Sequence, residues 1–397
     1  MKILYYSSHP QLKLSVQSGP GTHMREMITA LQNAGHEVMP LIMGEALDKS
    51  GGRSDNVNKQ PGMKRIIKKI VFTSLWRTVK ELLLIRYDKK AEKILEEKVL
   101  AFKPDLIYER GAYLQLSGIH VATKLKIRYF IEINTLYMEE MLQFEGSETY
   151  LRKRAIETER TQIAFSSKVF VVTTVLKEYY KRYTDKPDKI VVTPNSIDPA
   201  KTQINLILKN QLLQKYNLAG KYVIGFVGSI FPYHGVDILI RAFSELIKKR
   251  SDLLLFIVGD GYVIPELKML TKSLDIDKNV LFTGNVPHKE VFTYIDMMRI
   301  TVLPKTNYFC SPLKIFEYGA MGKAIVAVNT RGVRDVMIHQ KDGILTEPNQ
   351  ASLSKAIQTL LDDEQMMVDL SEHFRTKVLA KHTWKQTADT VLNEYFS

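Results

Sequence analysis

The chain has 397 residues, of which 45% are hydrophobic, 25% charged and 9% aromatic. That composition excludes a mainly disordered or collagen-like chain, and the length allows two or three domains, each with its own core. Lys and Arg number 56 against 43 Asp and Glu, and the resulting formal charge of +13 favours an anionic partner such as nucleic acid, a membrane face or a phosphorylated substrate. The excess is concentrated: residues 59–103 hold thirteen basic and five acidic side chains, whereas residues 1–58 hold five of each. The single cysteine, Cys310, excludes an internal disulfide and suits a reducing compartment. MKILYYSSHPQL lacks the apolar run of a signal peptide, and no stretch of ~18 apolar residues occurs, so the expectation is a cytoplasmic protein without a transmembrane span.

In chain order, the first half offers the strands KILYYSS, EVMPLIM, DLIYE, IRYFIEI and KVFVVTT, and the second half KYVIGFVGS, LLLFIVG, NVLFTG, ITVLP and AIVAV. Helical patterns separate them. Met24, Met27, Ile28 and Leu31 fall at i, i+3, i+4, i+7, as do Val236, Leu239, Ile240 and Phe243. Strands alternating with helices predict two doubly wound parallel α/β domains. The prolines and Asn-Ser pair of DKIVVTPNSIDPAK place the boundary near Pro194 to Pro199. Ligands of such sheets bind beyond the carboxyl ends of strands.

Three elements carry chemistry. In SGPGTHM, Gly19 and Gly21 follow the first strand and open a helix, which serves either an anion at the helix N-terminus or a tight turn needing φ > 0. FVGSIFPYHG repeats the arrangement with Gly228, Ser229 and His234, the histidine being a phosphate donor or a helix-entry residue. In FCSPLKIFEYGAMGKAIVAV, Ser311 reads as the N-cap and Pro312 as the first helical residue, with a stop near Gly322. Lys314 then occupies the first turn, where the helix dipole disfavours a cation unless a bound diphosphate also meets the free N–H groups, including that of Ile315. Glu317, three residues on, either accepts a ribose diol or forms an ordinary i,i+3 ion pair. Glu109, Arg110, Glu132 and Asn134 sit at the carboxyl ends of DLIYE and IRYFIEI, as site residues or as plain strand-end ion pairs. Asp275 and Asp277 have a metal-ligand spacing but read as a helix end turning into a strand, and no zinc spacing or P-loop occurs.

The ordered set of GHEV after a glycine turn, TPNSID, GSIFPYHG, VGDGYVIPEL, TGNV and SPLKIFEYGAMGKAIVA resembles the family 4 retaining glycosyltransferases of GT-B fold over nearly the whole chain, with a PLKxxEY variant of the donor motif. The resemblance implies two Rossmann-like domains facing across a cleft: residues 1–195 on the acceptor side, 196–380 binding a nucleotide sugar, and a terminal helix, 381–397, crossing back. It implies that Glu317 binds the ribose, that Gly228 to Gly235 with Lys314 and Ile315 hold the diphosphate, and that Gly284 to Val286 lie near the base. Gly19 to Gly21 would approach from the other domain. Asn134, Glu132 and Lys314 are the implied catalytic set, with Glu109 and Arg110 on the acceptor side. No metal or cofactor is implied beyond a nucleotide-diphosphate sugar, UDP being favoured. Where the family often has Arg, Lys, Glu and His, this chain has Ser229, His234, Phe309 and Asn134. The competing readings are a GT-B-fold sugar-nucleotide epimerase and a catalytically weak accessory subunit.

Ile66, Ile67, Ile70, Val71, Leu75 and Trp76 interleave with Lys and Arg in the basic segment. This pattern suits an amphipathic stretch on an anionic leaflet, and hence a peripheral enzyme at the inner membrane face with a lipid-linked or polysaccharide acceptor; the other reading is a solvated helical insertion. Nucleic acid fits less well, since no recognition module accompanies the charge.

Overall fold

The computed structural model describes residues 1–47, 73–146 and 148–397. The chain divides into two compact units: Met1–Pro194 with Trp384–Ser397 form unit 1, and Asn195–Thr383 form unit 2. The division falls at the first proline of the expected boundary. The terminal helix, Trp384–Phe396, belongs to unit 1 and packs on the Gly19–Asn33 helix.

Unit 1 is built on β1 (Lys2–Ser7), β2 (Glu37–Ile42), β3 (Leu106–Arg110), β4 (Arg128–Ile133), β5 (Lys168–Val171) and β6 (Ile190–Val192), in the order β2-β1-β3-β4-β5-β6. Unit 2 is built on β7 (Tyr222–Val227), β8 (Leu253–Val258), β9 (Val280–Phe282), β10 (Ile300–Leu303), β11 (Ala324–Val328) and β12 (Ile344–Thr346), in the order β12-β11-β10-β7-β8-β9. Every pairing is parallel. These are two doubly wound Rossmann-like sheets, and the expected fold class holds.

Parallel sheets are covered on both faces, so their strands are apolar throughout rather than alternating. All six residues of LLLFIV in β8 are buried, Phe256 and Val258 in one core cluster and Leu255 and Ile257 in another. The helical spacings have the same origin: Met24, Met27, Ile28 and Leu31 are buried in unit 1, and Val236, Leu239, Ile240 and Phe243 in unit 2. All ten expected strands form. The two missed, β6 and β12, are three-residue edge strands, too short to show a period, and β6 lies inside the segment read as turn chemistry.

Of the basic segment, residues 59–72 lie outside the described residues. The rest, up to Phe102, is one 30-residue helix, Thr73–Phe102. Among the described residues no helix is long and apolar enough to cross a membrane.

Candidate functional site

Strand order reverses between β1 and β3 in unit 1 and between β7 and β10 in unit 2. Crevices form beyond the carboxyl ends of strands at such switch points. Each unit places a cluster of the singled-out residues there.

In unit 2, Gly228 ends β7 with φ +132°, a conformation that side chains rarely adopt, and a Cβ there would lie 3.1 Å from Lys314 Cε and Nζ. The glycine lets the lysine lie against the turn. Lys314 comes from the Leu313–Ala320 helix, whose N-cap is Pro312 with no side-chain cap. The expected Ser311 cap does not form. Ser311 is buried and its Oγ accepts the Asn195 N–H at 3.0 Å, while its carbonyl accepts Asn195 Nδ2. Its hydroxyl thus serves the chain entering unit 2 and leaves the helix start open. The Ile315 N–H, expected to be free, points back to Pro312 O at 3.2 Å in a tight first turn.

Lys314 Nζ lies 4.7 Å from the centre of the Phe226 ring and forms no ion pair or hydrogen bond among the described residues. Burial pushes its ammonium down to about 8, with Glu317 and Cys310 acting the other way. Burial, then the Lys314 charge, push His234 down to about 2 against the backbone of Ser229, so its ring is neutral. The ring lies 4.2 Å from that of Tyr233, and its Nδ1 is buried with no hydrogen-bond partner among the described residues. Tyr318 OH accepts the Val227 N–H at 2.9 Å and locks the lysine-bearing helix to β7. Gly284 joins through Gly259, whose N–H donates to Gly284 O at 3.1 Å and where a Cβ would meet Gly228 O at 2.0 Å. Val286 packs on the core, and Phe309 is buried. The structure therefore brings Gly228, Ser229, His234 and Lys314 together around an unneutralised ammonium and an uncapped helix start. Such a constellation attracts an anion.

In unit 1 the register sets Arg110 opposite Glu132. Glu132 is 3% exposed, and both of its oxygens are engaged. His23 Nε2 lies 2.8 Å and Arg110 Nη1 2.9 Å from Oε1, Asn134 Nδ2 donates to the same oxygen, and Tyr108 OH donates to Oε2 at 2.8 Å. Burial alone would raise the carboxyl, but His23, Arg110 and Asn134 outweigh it and hold it at about 2. Glu132 is thus a saturated carboxylate that orients three neighbours, with no proton to exchange near neutrality.

Glu109, expected beside them, is on the opposite face, because successive strand residues alternate. It accepts from Tyr129 OH at 2.6 Å and Ser8 Oγ at 3.3 Å, packs against Gly118, and is pushed up to about 8 by burial. It is a buried acid under the Ser117–Leu125 helix, apart from the Arg110 cluster.

Gly19 and Gly21 also differ from expectation. Both lie within the helix Gly19–Asn33, capped by Ser18, and neither has positive φ. Gly21 is needed for close approach: a Cβ would sit 2.6 Å from Val16 O, and its N–H is 3.2 Å from Ser18 Oγ. Asp275 ends a helix with φ +55° and Asp277 opens a short turn.

Two histidines escaped the sequence reading. His23, buried two residues past Gly21, meets the Trp384 ring edge-on at 4.7 Å. His9, just beyond β1, is pushed down to about 4 by burial and then by Arg110. The SSHP run after the first strand was the available signal for His9; His23 had none, because its partners are distant in sequence.

Comparison with known proteins divides along the same line. Residues 17–201 match the model of Glycosyltransferase Family 4, and residues 211–377 that of Glycosyl transferases group 1. An uncharacterized glycosyltransferase of Haemophilus influenzae is 33% identical over 177 residues, 43% of this chain and 49% of the relative. The alpha-D-kanosaminyltransferase of Streptomyces kanamyceticus is 26% identical over 47% of this chain and 48% of that one. The chain thus spans about half the length of these curated relatives. Anabaena HepE, crystallised with UDP, superposes with a TM-score of 0.71 at 17% identity, covering 100% of both chains. The chain is thus similar in sequence to family 4 glycosyltransferases over residues 17–201 and to group 1 glycosyltransferases over residues 211–377, and its fold is of the two-domain GT-B type.

Proposed function

We propose that the protein transfers a sugar from a nucleotide diphosphate to an acceptor hydroxyl, with retention at the anomeric carbon and without a metal ion. The observation that carries this reading is Lys314, an ammonium without an ion pair among the described residues, held against the Gly228 turn at the start of an uncapped helix. Ser229 and His234 would complete the diphosphate site, with Glu317 on the ribose and Gly284 to Val286 beside the base. UDP is the favoured nucleotide, a choice supported by the UDP complex of HepE.

In the reaction, the acceptor oxygen bonds to the anomeric carbon as the bond from that carbon to the β-phosphate oxygen breaks. The electron pair stays on the phosphate, which takes the acceptor proton. Lys314 stabilises the charge that develops there, the kind of preorganised electrostatic contact that contributes most to such a step. Arg110 and Asn134, oriented by Glu132, would address the acceptor. The acceptor class is a lipid-linked or polysaccharide intermediate, in keeping with the basic segment 59–103 of unit 1.

Calorimetric titration of UDP, GDP and ADP tests the donor site, and NMR of the product from a nucleotide-sugar and acceptor panel tests turnover and anomeric configuration. UDP binding that disappears in Lys314→Ala, with a retained glycoside as product, is expected. Nucleotide binding with no turnover on any acceptor would convert the reading to an accessory subunit. Equal binding by wild type and Lys314→Ala would remove the donor site from this place.

A further inference from the structure

The Thr73–Phe102 helix sorts its charges by face. On the inward face Arg77, Glu81, Asp88, Ala91, Leu95 and Val99 are buried. The acidic residues of this helix are mostly spent inside unit 1. Glu81 bonds Arg77 and the hydroxyls of Tyr113 and Thr149. Asp88 accepts the Leu116 and Ser117 N–H groups at the start of the Ser117–Leu125 helix. Glu92 and Glu96 pair with His120 and Lys124 of that helix.

The outward face is different. At 100° per residue, Leu75, Val79, Leu82 and Leu83 fall on one stripe opposite the buried one, each 39–59% exposed, with Trp76 at its margin. The same stripe continues through Arg86, Lys89, Lys90 and Lys93, all exposed and none in an ion pair among the described residues. Glu97 follows one turn later. An apolar patch is thus succeeded along one helix face by a cluster of uncompensated cations.

We infer that this face of the Thr73–Phe102 helix seats the protein on an anionic lipid surface, with Leu75, Val79, Leu82 and Leu83 entering the acyl boundary and Arg86, Lys89, Lys90 and Lys93 meeting headgroup phosphates. Charge complementarity selects an anionic partner, and large aliphatic side chains in line with the cations select a bilayer over nucleic acid, whose contacts are polar and phosphate-directed. The helix is not long and apolar enough to cross the bilayer, so it would lie at the surface. The inference is independent of the transfer reaction and of the donor site.

Co-sedimentation of the full chain with vesicles of phosphatidylcholine alone, and with 30% phosphatidylglycerol added, tests it without any activity readout. Binding to the anionic vesicles only, weakened by salt, is expected. At about fivefold per basic residue, replacing Arg86, Lys89, Lys90 and Lys93 together by Gln should lower partitioning at least tenfold. Replacing Val79, Leu82 and Leu83 by Gln should also lower it, while leaving the unfolding midpoint near that of wild type because those positions are exposed. Equal sedimentation with neutral and anionic vesicles, or undiminished binding by both variants, would overturn the inference. So would tighter binding to duplex DNA or RNA than to the anionic vesicles at equal phosphate concentration.

Discussion

The switch-point clusters of the two units are electrostatic opposites. In unit 1, Glu132 is buried with both carboxylate oxygens engaged, and it holds His23, Arg110 and Asn134 in place. In unit 2, among the described residues, Lys314 forms no ion pair, His234 Nδ1 has no hydrogen-bond partner by geometry, and the helix that carries the lysine has no side-chain cap. A saturated cluster is a piece of architecture: its geometry is set before any ligand arrives. An unsatisfied one stores electrostatic work that a ligand of the right charge releases. On the proposed function, unit 1 would present donors in a fixed arrangement and unit 2 would be completed by an anion.

The sharpest way to break this contrast is Glu132→Gln, which keeps the shape and removes the charge. Leaving the buried Arg110 guanidinium uncompensated costs about 3–5 kcal/mol, so the urea midpoint of unit 1, followed by Trp384 fluorescence beside His23, should fall markedly. Diphosphate affinity in unit 2 should be unchanged. The pH dependence has a definite sign. Glu132 is depressed to about 2 in the folded protein, so its contribution is present above the ordinary carboxylate range and fades as pH falls through 2. The Gln variant should lose that acid-side dependence. A variant as stable as wild type would mean that the cluster is not organised by its carboxylate.

Lys314→Ala should act in the opposite way. Removing an unpaired buried ammonium relieves desolvation, so stability should hold or rise slightly, while the catalytic rate falls about 10²–10³-fold, the usual cost of losing one preorganised stabiliser of developing charge. Loss of the UDP-induced thermal shift would accompany it; at a hundred times the dissociation constant that shift is worth about 2.7 kcal/mol in wild type. A destabilised variant that still binds UDP would reverse the roles given to the two units.

Much of the contrast was legible in the sequence. Runs such as LLLFIVG and AIVAV show parallel strands because covered sheets need no polar face, and Lys314 stands out because a cation in a first helical turn breaks a local rule. What stayed hidden depends on long-range contact. Glu109 and Arg110 are adjacent in sequence yet belong to opposite faces of the sheet. His23 matters through Glu132 and Trp384, 109 and 361 residues away. Ser311 has the chemistry of an N-cap, but Asn195 competes for its oxygen and wins. Local propensity names what a residue can do, and the tertiary partner decides which of those things it does.

A milder prediction concerns protons. Lys314 titrates near 8, below the usual lysine range, and a bound diphosphate favours its charged form. Nucleotide binding should therefore take up protons at and above pH 8. Above that value affinity should fall by up to tenfold per pH unit, about 1.4 kcal/mol, while only the protonated form binds. Titration in two buffers of different ionisation enthalpy measures the uptake directly. Affinity flat from pH 7 to 10 would show that Lys314 does not face the anion. The unit 1 carboxylate, ionised throughout this range, contributes no such dependence.

The smallest effect separates two roles for one hydroxyl. Ser311→Ala removes the acceptor of the Asn195 N–H but leaves the side-chain bond from Asn195 Nδ2 to the Ser311 carbonyl, so the loss should be about 1 kcal/mol, read as a modest drop in the unfolding midpoint of unit 2. UDP affinity should stay within about twofold of wild type, because the hydroxyl does not cap the helix that carries Lys314. Were Ser311 instead a cap in solution, its removal would free N–H groups at the helix start and strengthen anion binding. An affinity gain in Ser311→Ala would mean that the open helix start of unit 2 is partly closed in the free protein, and the contrast between a saturated and an unsatisfied cluster would narrow accordingly.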